Sequence, residues 1–235
     1  MLMAKNIPLN ERIIFALDVS SKDAAERWLD RLGDQVQFYK VGLQLFLAGG
    51  FPVIEMIVNR GCQVMVDLKF FDIPETVALA VRELKNKGAT FITVHGNDPI
   101  LRAAIKERST ARILAVTVLT SFDESDLRAM GLTGTIQDLV YLRAKKALEL
   151  GCDGVVSSGL EAQRLREGLG DRLLIVTPGI RPGSNDTADD QKRIVSAGEA
   201  IRNGADHVVV GRPIRDAADP VAVVRQMQDE IAAAL

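Results

Sequence analysis

The feature that most constrains this chain is an alternation that never breaks. Short runs rich in β-branched residues (12–19, 37–42, 62–70, 91–96, 112–120, 154–158, 173–180 and 207–211) take turns with amphipathic stretches at 22–32, 43–59, 75–87, 99–107, 136–150, 160–168, 191–203 and 220–234. Several of the strand-like runs are apolar with little alternation, as expected for parallel strands covered on both faces. Such an order demands a parallel sheet with right-handed crossovers. Eight units without a Pro/Ser-rich linker predict an α/β fold closed into a single-domain (β/α)₈ TIM barrel over residues 1–235, with 1–11 as a short lead. An open doubly wound sheet is the competing arrangement. Gly61-Cys62, Gly88-Ala89, Gly151-Cys152 and Gly204-Ala205 recur between a helix and the next strand. There glycine supplies the left-handed conformation that ends a helix, so these turns speak to architecture.

Composition narrows the function classes. Lys plus Arg number 29 against 31 Asp plus Glu, a net charge of −2, and aromatics are 5%. That excludes electrostatic capture of nucleic acid or an anionic membrane as the main business of the surface, and base-stacking platforms with it. The two cysteines, Cys62 and Cys152, open apolar runs and read as packing groups of a reducing compartment. With no signal-like segment and no apolar run of membrane length, the expected location is the cytoplasm. Trp28, Tyr39 and the methionines read as core.

In a barrel of this kind, chemistry gathers at strand C-termini. The first three runs end in Leu17-Asp18-Val19, Tyr39-Lys40-Val41-Gly42 and Asp67-Leu68-Lys69-Phe70-Phe71-Asp72-Ile73-Pro74. Asp67 and Lys69 are two apart, so on a strand both side chains face the same way, and Lys40 on the neighbouring strand reaches the same space. One such pair reads as a satisfied ion pair. Three or four charges of alternating sign on adjacent strand ends mark a place where protonation matters. A lysine between carboxylates keeps its proton, which makes Lys69 a general acid, whereas a Schiff-base lysine wants an apolar or cationic setting.

The seventh and eighth runs lead into Thr177-Pro178-Gly179-Ile180-Arg181-Pro182-Gly183 and Val210-Gly211-Arg212-Pro213. Glycines that expose backbone N–H groups, beside arginines, predict a phosphate grip. The polar stretch 184–190 after Arg181 is long enough for a lid. Thr120 and Ser121, ending the fifth run, are candidate donors to a substrate ring. His95, ending the fourth, is not assigned a direct role, and His207, opening the eighth at the opposite face, is read as structural.

Together these motifs closely resemble orotidine 5′-phosphate decarboxylases of the bacterial type. The match runs through Phe15-Ala16-Leu17-Asp18, Tyr39–Gly42, the Asp67–Val77 motif, Thr117–Ser121, Thr177–Arg181 and Gly211–Pro213, in order, from about residue 12 to 220. The resemblance implies decarboxylation of orotidine 5′-monophosphate to uridine 5′-monophosphate, the last step of de novo pyrimidine nucleotide synthesis. It implies a network of Lys40, Asp67, Lys69 and Asp72 with Lys69 protonating C6, Asp18 and Lys40 on the ribose, and Thr120 on the pyrimidine. Arg181, Gln191, Gly211 and Arg212 would bind the phosphate. It further implies no metal or organic cofactor, and a homodimer in which Asp72, Ile73 and Thr76 serve the partner's site. The nearest alternative is a metal-dependent sugar-phosphate decarboxylase or synthase of the same barrel superfamily, which stabilises an enediolate. Phe70-Phe71, Ile73-Pro74 and the Pro-Gly-Ile-Arg loop argue against it. A non-catalytic phosphate-ligand sensor on a degenerate barrel is the rival from another class.

Overall fold

In the computed structural model, which describes residues 5–181 and 193–235, eight parallel strands follow one another around a closed barrel. They are β1 (Ile13–Ala16), β2 (Phe38–Gly42), β3 (Gln63–Phe70), β4 (Phe91–His95), β5 (Arg112–Val116), β6 (Gly154–Val156), β7 (Leu174–Thr177) and β8 (His207–Val210). Pairing of Ile14 with Val209 closes β8 onto β1. The helices are α1 (Leu9–Arg12), α2 (Lys22–Leu32), α3 (Leu43–Gly49), α4 (Phe51–Asn59), α5 (Pro74–Glu83), α6 (Asp98–Glu107), α7 (Glu124–Ala129), α8 (Ile136–Glu149), α9 (Gly159–Leu169), α10 (Ala197–Arg202), α11 (Arg212–Arg215) and α12 (Pro220–Ala232).

The apolar runs read as they do because the strands bury both faces. Ile14, Phe38, Met65, Phe91, Leu114 and Leu174 fill the barrel interior. Their neighbours Ile13, Phe15, Tyr39, Val64 and Ile92 pack outward under the helices. That period of two carries the inward row from Ile14 through Ala16 to Asp18, from Phe38 to Lys40, and from Met65 to Asp67. At the bottom, His207 packs edge-on against Phe38 and Phe91 and makes a hydrogen bond with the Glu11 carbonyl. Burial pushes its pKa down to about 4, so it is a neutral core histidine. The four predicted glycine turns all take positive φ, from +76° at Gly61 to +99° at Gly204.

Several boundaries differ from the sequence reading. The helix expected over 43–59 divides at Gly50, whose φ of +58° breaks the hydrogen-bond ladder between α3 and α4. The helix expected from Gln191 is described only as α10, which begins after Ser196 in a capping box with Glu199. Gln191 and the stretch 184–190 lie outside the described residues. β5 ends at Val116 and β7 at Thr177, so Thr120, Ser121 and Gly179–Arg181 stand on loops beyond the strands. The helices α1, α7 and α11 are short additions. Both cysteines are free, Cys152 buried and Cys62 partly so. Met130 is 59% exposed, against its assignment to the core, because it follows α7 on the outer surface. Among the described residues no helix is long and apolar enough to cross a membrane.

Candidate active site

The C-terminal mouth of the barrel holds a cavity of about 390 Å³. One wall is a chain of alternating charges. The Lys40 ammonium lies 3.3 Å from Asp18 and 3.5 Å from Asp67, and the Lys69 ammonium donates to the same Asp67 oxygen at 2.9 Å. Asp67 is 7% exposed, so its charge stands only because these partners offset the loss of water. Burial works against its ionised form, but Lys40, Lys69 and a Thr93 hydroxyl outweigh it and hold its pKa below the usual carboxylate value. For Lys40 too, burial is the largest influence and would lower the pKa, yet Asp67 and then Asp18 raise it above the ordinary lysine value. Gly42 lies close beside them: a Cβ there would stand 3.1 Å from the Lys40 nitrogen, which would have to shift slightly.

Asp67 and Lys69 do meet, though not by simple strand alternation. Val66 pairs with Ile92 but Phe70 pairs with Val94, so β3 spends four residues where β4 spends two. Lys69 sits in that bulge at φ +48°, one of two non-glycine residues with positive φ among those described. Thr93 of β4 holds the strained turn. Its hydroxyl accepts from the Lys69 N–H at 2.9 Å and donates to the other Asp67 oxygen at 2.9 Å. Sequence reasoning missed Thr93, since a threonine within Phe91–His95 reads as strand propensity.

Asp72 is not part of this wall in the single chain. It is exposed, and its carboxylate accepts from the Ile73 N–H at 2.7 Å where Pro74 opens α5. Ile73 is 67% exposed and Thr76 is exposed on the first turn of α5, beside a Phe71 that is 65% exposed. A second, adjoining wall of the cavity is cationic. Gly179 and Arg181 come from beyond β7, Gly211 from the residue before α11, and Arg212 and Arg215 from the first and last positions of α11. Arg181 is buried and donates to the Ile180 carbonyl at 2.7 Å. Arg215 was not foreseen; its spacing of three from Arg212 on a helix was the available signal.

Between the walls runs the loop after β5, with Leu119, Thr120 and Ser121 facing the cavity. Arginines hold its carbonyls. Arg143 of α8 donates to the Thr117 carbonyl, and Arg193 to those of Leu119 and Val118 at 3.0 and 3.4 Å. His95 faces a separate apolar hollow of about 200 Å³ and stacks on Phe71 with centroids 4.5 Å apart. Burial, then Arg143 and Lys69, lower its pKa.

A family model described as Orotidine 5′-phosphate decarboxylase / HUMPS family matches residues 11–227. A curated orotidine 5′-phosphate decarboxylase of Methylococcus capsulatus is 52% identical over 209 residues, covering 88% of this chain and 86% of that protein. One from Rhodopseudomonas palustris strain BisA53 is 49% identical over 234 residues, 99% of each chain. The crystal structure of orotidine 5′-phosphate decarboxylase from Lactobacillus acidophilus superimposes with a TM-score of 0.82 at 35% identity, covering 94% of this chain and 99% of the other.

Proposed function

The chain belongs to the orotidine 5′-phosphate decarboxylase / HUMPS family, and from that premise we propose that it is a carboxy-lyase converting orotidine 5′-monophosphate to uridine 5′-monophosphate and CO₂. The observation that carries this reading is the pairing, across one cavity, of an Asp18–Lys40–Asp67–Lys69 charge chain with an arginine-lined wall. A nucleoside monophosphate matches that polarity. Its phosphate suits Arg181, Arg212 and the Gly211 backbone, with Gln191 as a further contact, its ribose hydroxyls suit Asp18 and Lys40, and its ring suits Thr120.

The C6–carboxylate bond breaks with its electron pair left on C6, where no adjacent π-system can take it. The Lys69 ammonium, fixed by Asp67, stabilises that developing charge and then transfers a proton to C6 as CO₂ departs. Preorganisation does the work: the bulge and Thr93 aim the ammonium before substrate arrives. Binding energy from the distant phosphate supports placement of the ring against the charge chain. Both oxygens of Asp67 are engaged by Lys69, Lys40 and Thr93. That favours this reading over the enediolate alternative, whose carboxylates need to hold a divalent metal. We further assign Asp72, Ile73 and Thr76 to the site of a second copy. Their exposure just beyond the end of β3 that carries Lys69 supports this, and sedimentation as a monomer at concentrations that sustain turnover would remove it.

The test is an absorbance assay following loss of orotidine 5′-monophosphate, with and without a chelator. Decline of the signal in both arms is expected. No decline at micromolar enzyme overturns the reading, and decline only without chelator transfers it to metal-dependent chemistry.

A further inference from the structure

Arg193 lies outside the cavity, yet three of its connections converge on the cavity's framework. It is 8% exposed, and its guanidinium forks. One arm donates to Glu161 in the first turn of α9 at 2.7 Å; the other donates to the carbonyls of Leu119 and Val118. Glu161, 2% exposed, sits where the positive end of α9 favours a carboxylate, which makes it a firm anchor. Two residues along, Val195 pairs with the turn beyond β7. Its carbonyl accepts from the Arg181 N–H at 3.0 Å, and its N–H donates to the Gly179 carbonyl at 3.3 Å. Arg193 therefore links the loop carrying Thr120 and Ser121 to the turn carrying Gly179 and Arg181, with α9 as the fixed point.

We infer that Arg193 is a positioning residue, a buried brace that sets the ring-side loop after β5 at a fixed distance from the phosphate-side turn after β7. The inference rests on the function proposed above. The phosphate-side turn is held by its own backbone bonds to Val195 whatever side chain stands at 193. The ring-side loop extends past the end of β5, and its Val118 and Leu119 carbonyls are gripped by this side chain. A planar guanidinium suits the task, because its donors point in several fixed directions at once, as a lysine's cannot. Loss of the brace therefore loosens recognition of the ring while leaving recognition of the phosphate.

Removing one member of a buried pair risks unfolding, whereas replacing both with apolar groups of similar size is often tolerated. The test therefore uses the double variant Glu161→Met/Arg193→Met beside Arg193→Lys and Glu161→Gln. The readouts are kcat and KM for orotidine 5′-monophosphate and the affinities for uridine 5′-monophosphate and for inorganic phosphate. The double variant is expected to melt near wild type, with KM raised and nucleotide affinity weakened by about tenfold, and phosphate affinity unchanged. Arg193→Lys recovers part of that loss, and Glu161→Gln, which keeps an acceptor but leaves the buried guanidinium without its carboxylate, melts below wild type while its folded fraction keeps nucleotide affinity close to wild type. A folded double variant with wild-type KM and nucleotide affinity overturns the inference, as does a parallel loss of nucleotide and phosphate affinity. Should the double variant not fold, Arg193→Lys decides: an intact nucleotide affinity refutes the brace, and a loss confined to the nucleotide upholds it. A wild-type protein that binds the nucleotide without decarboxylating substrate refutes the proposed function instead, and leaves the brace to be judged on the two affinities.

Discussion

Two aspartates, one at each end of the barrel, solve the same problem in opposite ways. Asp67 at the mouth is 7% exposed and Asp206 at the bottom 5%, and each meets two cationic side chains. At Asp206 one oxygen accepts from Lys5, from Arg166 and from the Ile175 backbone N–H, each at 2.8 Å. Arg166 also donates to the carbonyls of Gly204, Gly170 and Leu173, and Arg12 to that of Asp206. Guanidinium forks and main-chain bonds there knit β7 and β8 to the N-terminal segment. At Asp67 the partners are ammonium groups on flexible stems, one of them, Lys69, with its side chain 35% exposed toward a cavity. Compensated charge becomes structure where a guanidinium fork and a main-chain N–H hold the carboxylate, with Lys5 as the flexible partner. On the mechanism proposed above, it becomes chemistry where one donor can be given away.

The largest effect that would test this contrast is at Lys69. Lys69→Ala leaves Asp67 paired with Lys40, so the chain folds and still binds uridine 5′-monophosphate, while kcat falls by about 10⁴-fold. Normal turnover would remove Lys69 from the mechanism and erase the distinction between the two ends. At the other end, Asp206→Asn strands Lys5 and Arg166 without a carboxylate. Urea titration should then show stability reduced by about 3–5 kcal/mol, with kcat of the folded protein unchanged. An unaltered denaturation midpoint would mean that the bottom cluster is ornamental.

Smaller effects refine the comparison. Arg212→Ala removes a charged donor from the cationic wall. It is expected to weaken uridine 5′-monophosphate binding by roughly 1.5–3 kcal/mol, or about ten- to a hundredfold, with kcat at saturation less affected; unchanged nucleotide affinity would end the phosphate assignment. Acid should reach the bottom of the barrel before the mouth. Between the ordinary histidine value of 6.5 and the folded value of about 4, the unfolded chain binds a proton at His207 that the folded chain refuses. Stability therefore falls as pH drops through that window, by about 2 kcal/mol at pH 5. Asp67, with a lowered pKa, keeps its contribution until pH falls below the usual carboxylate range. His207→Phe should flatten the loss between pH 7 and pH 5 in urea midpoints. A loss of the same size in that variant would place the acid sensitivity elsewhere.

Residues at strand ends were legible because their placement is local. Parity along β1, β2 and β3 puts Asp18, Lys40 and Asp67 on the inward row, and glycine turns mark where each unit restarts. Asp72 was legible as a charge, but only the family resemblance, not strand parity, set it apart from the Lys40–Asp67–Lys69 wall; in the fold its carboxylate accepts from the Ile73 N–H where Pro74 opens α5. Thr120 was found at the right mouth and on the wrong element, since β5 stops at Val116.

The order of strands and helices, the end of the barrel that gathers the charges and the signs of those charges follow from the sequence alone, being set by periods of two and 3.6 and by turn residues that act within a few positions. Only the folded chain decides how those charges touch. The bulge at Lys69 is held by a threonine on another strand, and Thr93 reaches Asp67 across 26 residues. Arg193 grips the Leu119 carbonyl across 74. Such contacts form only when barrel closure brings distant loops to one mouth, and no local pattern in the chain encodes that distance.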